Sequence, residues 1–566
     1  MRRMTGVTLA LVCAASFLLP AAGTVASGAG APRPAANRQD AITGPPPNEA
    51  LTGHVSSAEE GKMEGVLVSA KRDGSTITVT VDSDTQGRYH FPRKWIEPGK
   101  YTLRIRAVGY ELDGPASAEV TWDKTATADL KLRKAKDLAA QLTNTEWLMS
   151  MPGTDEQKYM MSNCGNCHTY ERIMRSQFDA DGFIDIQKLM ATFAQGATPT
   201  HPTKKGLEQT GPTGMVGSPK LADFLGTVNL SGGKDEWSYA LKTLPRPSGR
   251  ATHVIVTEYD LARRDARPHD VVVDSDGLVW YRDFAKDIIG SLDPKTGKVV
   301  DYPLPGVKDG YAQGEPDMEM DKYGNLWTAL QSGTIVKFNC KTHEFASWSA
   351  GEKANFQMIA PAYGADGKVK VWVSGTQLPG MHRFDLATGK LEALDTTPFY
   401  GVVSDSKGNG YGLLLGSQDI LKYDAVTGEI SRYATPTKNS GPRRGRTDAQ
   451  DRLWFAEFRG GKIGMFDTRS NTFKEWPVPT PWTGAYDAVL DKNGDAWTGG
   501  MFSDRVVRVN TTTGQATEYL LPRSTNIRRV FVDNSTTPVT FWTGSNHGAS
   551  IVKIEPLEYS AHVGTR

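Results

Sequence analysis

The feature that most constrains the fold is a pattern that recurs every 35 to 50 residues beyond about residue 250. Each copy has an apolar strand ending near Asp, a turn with Gly or Asn, and a second strand with an aromatic marker. The seven markers are Trp280, Trp327, Trp372, Tyr411, Trp454, Trp497 and Trp542. Internal repeats of this length are typical of propellers and arrays, so the sequence predicts a seven-bladed β-propeller over residues 250–558.

The rest of the chain is long enough for further domains, because 566 residues exceed what one hydrophobic core organises. Lys and Arg number 65 and Asp and Glu number 64, which leaves a formal net charge of +1. A chain with almost no net charge has no overall positive potential that would attract nucleic acid or an anionic membrane. We therefore expect a mainly β, multidomain protein with no nucleic-acid partner.

The N-terminus has the pattern of an export signal. Arg2 and Arg3 precede an apolar run from Val7 to Leu19, and small residues follow, which predicts a signal peptide over residues 1–26. The apolar run is shorter than the roughly 20 residues that span a bilayer. We expect a periplasmic or secreted mature protein without a membrane span, beginning with an Ala-, Pro- and Gly-rich linker over residues 27–47.

Residues 48–133 alternate polar and apolar residues in short runs, such as 77–81 and 101–105, between Asp- and Gly-containing turns. The pattern predicts a small β-sandwich. The segments Gly53-His54-Val55, Gly87-Arg88-Tyr89-His90-Phe91 and Pro98-Gly99-Lys100-Tyr101 resemble the carboxypeptidase regulatory-like domain. That resemblance implies a non-catalytic accessory module with a spacing or docking role.

Residues 134–244 have helix-period segments at 135–149, 154–163, 184–193 and 220–228, which predict an α-helical domain. Within it, Cys164-Gly165-Asn166-Cys167-His168 spaces two thiols for thioether bonds to haem vinyl groups and presents His168 to the iron. A dithiol redox pair or half of a zinc site are the alternatives. The motif favours one covalent haem c in a cytochrome c-like domain.

The second axial ligand of the haem iron is assigned to Met215. It lies in a loop before the segment 220–228, and the two together resemble the loop and last helix of a small cytochrome c domain. His201, Met174 and Met190 compete for this position. Cys340 is the remaining cysteine of the mature chain, so the spacing gives no disulfide framework, and the role of Cys340 stays open.

Positions about eleven residues before the markers are predicted to face one mouth of the central channel: His269, Pro316, Gln357, Tyr400, Arg443, Tyr486 and Arg528, with Arg444, Arg446 and Arg529 nearby. Convergent Arg and Tyr suit a small anionic or aromatic substrate, since Arg donates in a fork to carboxylates and stacks on rings. We take Tyr400, Arg443, Arg444, Arg446, Tyr486 and Arg528 as candidate substrate-binding residues. The alternative is pairing of these residues with Asp448, Asp451 and Asp487.

The run from Pro268-His269-Asp270 to Asp283, together with Leu453-Trp454-Phe455-Ala456-Glu457, resembles the virginiamycin B lyase family over residues 250–556. That family is a seven-bladed propeller that opens a cyclic depsipeptide antibiotic by elimination at an ester, with a His base and a carboxylate-bound Mg²⁺. The resemblance implies that His269 is the base and that Asp283 binds Mg²⁺.

Three hypotheses for function follow. The favoured one is a periplasmic oxidoreductase or electron-transfer protein, in which a substrate at the propeller mouth exchanges electrons with the haem. The second is a Mg²⁺-dependent carbon–oxygen lyase with the cytochrome as a fused redox partner. The third is a non-catalytic module whose propeller docks a redox partner protein, a periplasmic dehydrogenase, and whose cytochrome accepts the electrons of that dehydrogenase.

Overall fold

The propeller strands follow from a side-chain pattern that repeats at the first hairpin of a blade. The indole nitrogen of Trp280 donates to the carboxylate of Asp274 at 2.7 Å, and Trp497 donates in the same way to Asp491 at 2.9 Å. Asp274 also accepts the backbone N–H of Leu278 and so fixes the turn between the two strands. The spacing of Asp and Trp in the repeat therefore encodes a turn and the strand that follows it.

A computed structural model describes residues 48–194, 196–204, 217–308, 313–314, 317–351, 354–363, 368–375 and 379–557. These residues belong to one compact unit. The predicted signal peptide, the predicted linker, Met215 and Pro316 lie outside the described residues.

The N-terminal part is a β-sandwich-like domain. One of its sheets has the order β2-β1-β10-β7, with β5 and β9 also pairing with β1, and the other contains β4-β3-β6-β8. Its strands are β1 (Glu49–Ser57), β2 (Gly61–Lys62), β3 (Leu67–Arg72), β4 (Ile77–Asp82), β5 (Arg88–Pro92), β6 (Gly99–Arg106), β7 (Tyr110–Gly114), β8 (Ser117–Val120), β9 (Ala126–Thr127) and β10 (Leu130–Lys134).

The described residues between 134 and 244, here called the cap, contain short helices. These are α1 (Asn144–Ser150), α2 (Asp155–Met160), α3 (Glu171–Met174), α4 (Ala180–Met190) and α5 (Pro219–Val228), with 3₁₀ turns at Ala139–Gln141 and Met161–Asn166. Another 3₁₀ turn, Gly249–Thr252, precedes the propeller.

The described residues of the C-terminal part form 28 strands. They are β11 (Val254–Asp260), β12 (Pro268–Val273), β13 (Val279–Asp283), β14 (Ile288–Asp293), β15 (Lys298–Pro303), β16 (Met318–Met320), β17 (Asn325–Ala329), β18 (Thr334–Asn339), β19 (Phe345–Ser349), β20 (Met358–Tyr363), β21 (Val369–Ser374), β22 (His382–Asp385), β23 (Lys390–Ala393), β24 (Gly401–Ser404), β25 (Gly410–Leu413), β26 (Asp419–Tyr423), β27 (Ile430–Ala434), β28 (Pro442–Thr447), β29 (Arg452–Glu457), β30 (Lys462–Asp467), β31 (Thr472–Pro477), β32 (Ala485–Leu490), β33 (Asp495–Gly500), β34 (Arg505–Asn510), β35 (Ala516–Leu520), β36 (Ile527–Asp533), β37 (Thr540–Ser545) and β38 (Ser550–Pro556).

These strands form seven successive four-stranded antiparallel units, so the predicted seven-fold repeat is confirmed in the described residues. Strands β36, β37 and β38 take β11 as their fourth strand, which joins the two ends of the repeat. The innermost strand β12 packs against β36 of the last unit, so the units form a closed ring. All seven aromatic markers lie on the second strand of their unit and are buried.

The sandwich and the last propeller unit share one eight-stranded sheet, which the sequence does not predict. Strand β4 pairs antiparallel with β11, with Val79 opposite Thr257. Arg106 of the sandwich also donates to Asp504 at 2.7 Å. The accessory module is therefore continuous with the ring by backbone pairing.

The prediction of a mostly helical domain between 134 and 244 needs correction, because the described helices there have only four to eleven residues. Helix α1 begins at Asn144 rather than near 135, since Thr143 and Glu146 form a capping box at that point. The cap also shares its hydrophobic core with the ring: Trp147, Tyr170 and Phe224 belong to one buried cluster with propeller residues such as Phe502. Short helices suffice because the propeller covers their apolar faces.

Candidate functional site

In the part of the ring that the structure describes, four inner strands carry a β-bulge at the same end. In β12, Pro268 lies opposite Asp283 and Asp270 lies opposite Arg282, which leaves His269 as the additional residue. Strands β28, β32 and β36 show the same shift in register. A bulge redirects a side chain that would otherwise alternate between the faces of the strand. The consecutive residues at the four bulges are His269 with Asp270, Arg443 with Arg444, Tyr486 with Asp487, and Arg528 with Arg529.

The second members of these pairs form an ion cluster with Asp317 and Glu319, just before and within β16, and with Arg446 of β28. We define it as Asp270, Asp317, Glu319, Arg444, Arg446, Asp487 and Arg529. Arg529 donates to Asp487 at 2.8 Å and to Asp317 at 3.1 Å, and it also pairs with Glu319. Charges on several strands neutralise each other here, so the cluster ties the inner strands together.

The first members of the pairs, together with Tyr400, form a second cluster that we call the tyrosine–arginine layer. Its residues are His269, Tyr400, Arg443, Tyr486 and Arg528. The hydroxyl groups of Tyr400 and Tyr486 lie 2.6 Å apart, and the Tyr486 hydroxyl lies 3.1 Å from Nε2 of His269. Nδ1 of His269 lies 2.5 Å from Asp270. One chain of hydrogen bonds thus links this layer to the ion cluster.

Burial, followed by the positive charges of Arg528 and Arg444, holds the pKa of His269 well below its ordinary value. The imidazole is therefore neutral at pH 7 and carries one N–H, which the adjacent carboxylate assigns to Nδ1. Nε2 then accepts a hydrogen bond from Tyr486. Burial raises the pKa of Asp270 to about 6, so this acceptor is mainly ionised at neutral pH.

Two guanidinium groups of the layer contact rings and amides rather than carboxylates. Arg443 lies 4.1 Å from the ring centroid of Tyr486 and 4.3 Å from that of Phe458, and its Nε has no hydrogen-bond partner. Arg528 donates to the side chain of Asn526. Burial acts to raise the pKa of Tyr400, but Arg443, Arg444 and Arg528 outweigh it and lower this pKa to about 8. The layer therefore favours negative charge.

The CxxCH motif lies directly on this layer. Gly165 accepts a hydrogen bond on its carbonyl from Asn526 at 3.1 Å, and the Asn166 carbonyl lies 3.0 Å from Nε2 of His547. Arg528 donates to the Asn166 side chain at 3.2 Å, so the same guanidinium contacts the motif and the ring of Tyr486. Three propeller side chains hold the motif against the channel mouth.

The groups of the motif fit the attachment of haem c. Cys164 and Cys167 are both free thiols, and burial raises the pKa of Cys164 to about 12. Nδ1 of His168 lies 2.9 Å from the carbonyl oxygen of Thr169. A hydrogen bond from Nδ1 to a carbonyl fixes the ring and leaves Nε2 as the ligand atom, which is the usual arrangement for a metal-ligating histidine.

The comparisons with known proteins divide the chain in the same way as the fold. The carboxypeptidase regulatory-like domain family matches residues 50–133. Virginiamycin B lyase from Nocardia farcinica is 31% identical over 219 residues, which are 38% of this chain and 71% of that protein. The chain belongs to the virginiamycin B lyase family.

Two solved lyase structures are also similar to this chain. Selenomethionine-substituted virginiamycin B lyase from Staphylococcus aureus is 20% identical with a TM-score of 0.46, over 53% of this chain and 99% of that one. A streptogramin B lyase structure is 18% identical with a TM-score of 0.45, over 54% of this chain and 99% of that one.

The two residues to which the lyase resemblance assigns chemistry have other partners. His269 is 1% exposed and both of its ring nitrogens have neighbours within 3.1 Å. Asp283 accepts hydrogen bonds from Arg263 at 2.5 Å and from the backbone N–H groups of Arg267 and Ala285. Among the described residues, no group of three or more His, Cys, Asp and Glu side chains is arranged to hold a metal ion. A Mg²⁺ role for Asp283 stays a prediction.

The candidate substrate-binding residues separate into two groups. Tyr400, Arg443, Tyr486 and Arg528 lie together in the tyrosine–arginine layer, whereas Arg444 and Arg446 pair with acids of the ion cluster. Gln357 is half-buried and its backbone N–H donates to Ser374. The proposed pairing with Asp448 does not occur, because Asp448 accepts from Arg452 and Trp454.

The competing iron ligands also have defined positions. Nδ1 of His201 lies 3.4 Å from Nη2 of Arg267, which places it beside the mouth. Met174 is buried in the cap core, where its sulfur lies 3.7 Å from the hydroxyl of Tyr239.

Cys340 is buried in the second propeller unit, and burial raises its thiol pKa to about 12. Within the described ranges, no helix is long and apolar enough to cross a membrane.

Proposed function

We propose that this protein is an exported c-type haem protein in which a small anionic or aromatic substrate at the propeller mouth exchanges electrons with a haem held by the cap. The observation that carries the proposal is the position of the CxxCH motif. Its backbone is hydrogen-bonded by Asn526 and lies beside His547, at the surface of the tyrosine–arginine layer. The two arginines of that layer, Arg443 and Arg528, contact rings and amides rather than a described carboxylate. The CxxCH motif and the candidate substrate-binding residues are therefore in direct contact.

The residues of the motif have distinct roles in this proposal. Cys164 and Cys167 would form thioether bonds, and His168 would ligate the iron through Nε2. Haem c, when bound, exchanges single electrons with donors and acceptors. Met215 remains the proposed second axial ligand.

The tyrosine–arginine layer supplies the binding chemistry for the substrate. Arg443 has an unpartnered Nε and Arg528 donates to neutral amides, so a carboxylate or phenolate would complete their hydrogen bonds. Tyr400 is only partly buried, whereas His269, Arg443, Tyr486 and Arg528 are buried. A small molecule would therefore enter beside Tyr400.

We expect haem to stay on the polypeptide after denaturation, because thioether bonds survive unfolding whereas axial ligation does not. The protein, produced in a bacterium with a haem-attachment apparatus, should give a peroxidase-stained band on a denaturing gel. Cys167→Ser should lose most of this stain, and Cys340→Ser is the matched control that should keep it. An unstained parent protein would contradict the proposal.

The redox part of the proposal is measured on the same material. A reduced-minus-oxidised spectrum recorded with a panel of small aromatic and aliphatic anions should identify a substrate that reduces the haem. Arg443→Met should remove that response and keep the haem stain. Haem that is attached but reduced by no small molecule would instead support the module that docks a redox partner protein.

A Mg²⁺-dependent lyase is the second candidate, favoured by membership of the virginiamycin B lyase family. Its base would be His269, which has a carboxylate neighbour in Asp270 as a catalytic imidazole often does. Both ring nitrogens of His269 are engaged beneath the cap, however, and Asp283 already accepts three hydrogen bonds. The cap would have to move before this site could accept a cyclic depsipeptide.

We expect the full chain not to linearise a cyclic depsipeptide antibiotic, with or without Mg²⁺, because His269 and Asp283 are both engaged. Ring opening followed by mass spectrometry measures this directly. Linearisation that disappears with EDTA, with His269→Ala and with Asp283→Asn would establish the lyase in place of the electron-transfer function.

A further inference from the structure

A cavity of about 230 Å³ lies where the sandwich, the cap and the propeller meet. Arg106 and Tyr110 of the sandwich line it on one side, Glu146 of the cap on another, and Arg505 of β34 on the third. A cavity of roughly 150 Å³ is enough for benzene. The space therefore accommodates a small organic molecule, and it lies apart from the CxxCH motif and the tyrosine–arginine layer.

Arg505 is the unusual group of this cavity. It is 5% exposed, and its Nη2 donates to the carbonyl oxygen of Pro245 at 2.7 Å, while its Nε has no hydrogen-bond partner. Burial lowers its pKa. A guanidinium has five N–H donors, and leaving them unpaired in a buried place is costly.

The nearest carboxylates are used elsewhere. Glu146 accepts from the backbone N–H groups of Thr143 and Leu244, and Glu518 accepts from the backbone and side chain of Thr480. Among the described residues, no carboxylate forms an ion pair with Arg505. Glu518, Glu146 and Asp504 attract Arg505 electrostatically, but among the described residues none is a direct ion-pair partner, and its buried Nε donor stays unpartnered.

The other two arginines of the cavity are already held in place. Arg106 donates to Asp504 and to the carbonyl of Leu521, and Arg246 donates to Glu60. Arg106 and Arg246 add positive potential to the cavity, but both already have carboxylate partners. Arg505 is therefore the arginine of this cavity that is available to pair with an anion. The remaining wall is mixed: Gln141 and Thr143 are polar, and its apolar side chains include Val108, Leu244 and Leu520.

We propose that this cavity binds a small organic anion, with one carboxylate that pairs with Arg505 and a short apolar body that packs against Val108 and Leu244. The fork of a guanidinium matches the two oxygens of a carboxylate. The apolar part of the wall favours a carboxylate with an apolar body over inorganic phosphate, which would lose hydration on that side. Because its walls come from all three parts, the bound anion would fasten the cap and the sandwich to the ring. This inference does not rest on the proposed haem.

The test uses the full chain with benzoate, its neutral analogue benzamide, and inorganic phosphate as probes. Calorimetric titration should show benzoate binding at least tenfold more tightly than benzamide or phosphate. Benzoate should also raise the unfolding temperature in proportion to the logarithm of its concentration. Equal binding of benzoate and benzamide, tighter binding of phosphate, or no binding of benzoate would each overturn the proposal.

Arg505→Met should weaken benzoate binding at least tenfold, and Arg432→Met, at an exposed propeller position, should leave it unchanged. Without ligand, Arg505→Met should unfold at the same or a higher temperature, because it removes a buried charge that has no direct ion pair among the described residues. A purely structural arginine would give a lower temperature instead, which would overturn the proposal. Val108→Phe fills the cavity from the sandwich side and should also abolish benzoate binding, so the test survives if the arginine variant fails to fold.

Discussion

Asp487→Asn is expected to lower the free energy of unfolding by about 3–5 kcal/mol, the range for removing one partner of a buried ion pair. Asp487 is fully buried and accepts from Arg529 at 2.8 Å, from Arg446 at 3.2 Å and from the backbone N–H of Val530 at 3.2 Å. An amide keeps the volume of the side chain but leaves both guanidinium groups without this charge. Chemical denaturation followed by tryptophan fluorescence measures the difference.

The matched control is Asp185→Asn in helix α4. Asp185 is also paired, with Lys188 at 2.9 Å, but its side chain is 78% exposed. Surface substitutions of this kind usually change stability by less than about 0.5 kcal/mol. Equal effects of the two variants would show that the ion cluster does not hold the inner strands together.

The pH dependence gives an independent check on Asp487. Burial acts to raise the pKa of this carboxyl, but Arg529 and Arg446 outweigh it and lower the pKa. A group whose pKa is lower in the folded than in the unfolded protein stabilises the fold above its unfolded pKa, near 3.9. That stability is lost as the pH falls through the folded pKa. The parent should therefore lose more stability between neutral and acid pH than Asp487→Asn does.

The ring was predictable because each blade repeats the same short sequence pattern, and the residues of that pattern contact one another within the blade. Asp274 and Trp280 make a turn and a strand with contacts six residues apart, so the pattern is visible in the sequence. The pairing of β4 with β11 was not predictable. Any strand edge offers the same backbone donors and acceptors, and nothing in the side chains of β4 marks it as a partner of the propeller.

The channel mouth was predicted in part. Counting from the markers found the residues of the tyrosine–arginine layer, but it missed Asp270, Asp317 and Glu319, which neutralise the arginines of the ion cluster. A signal was present, because Arg443 with Arg444 and Arg528 with Arg529 are consecutive charged residues in strands that should alternate. Two such residues in succession indicate a bulge, and a bulge sends both toward the channel.

The cap could not be separated from the ring by sequence alone. Its helical periodicity says which faces are apolar but not what covers them, and the covering side chains come from loops more than 200 residues away, such as Phe458 and Phe502. Because part of the hydrophobic core of the cap consists of propeller side chains, the contact with the propeller keeps the cap folded. Substitutions at the contact should therefore loosen the cap and leave the propeller folded.

Gly165→Ala is expected to raise the rate of amide hydrogen exchange over residues 139–174 about tenfold or more, with the propeller strands unchanged. A Cβ at this position would lie 2.9 Å from the ring of Phe502 and 3.2 Å from the side-chain nitrogen of Asn144. Overpacking of this kind costs about 1–3 kcal/mol, and each 1.4 kcal/mol is a factor of ten. The Phe502 ring cannot easily turn aside, because Phe458 and Tyr170 pack against it.

Whether the substitution stabilises or destabilises distinguishes crowding at the contact between cap and propeller from the general effect of replacing a glycine by alanine. Gly416 lies in an exposed turn, and no atom lies within 4 Å of the place that a Cβ would take there. Gly416→Ala should therefore be neutral or slightly stabilising through the unfolded chain. Gly165→Ala should be destabilising instead, since the added methyl group would crowd the ring of Phe502 and the side chain of Asn144. Under the proposed haem attachment, the variant should also carry less covalent haem, because Cys164 and Cys167 are close to the displaced residue in the chain. Unchanged exchange in the cap would show that the motif is not seated on the propeller.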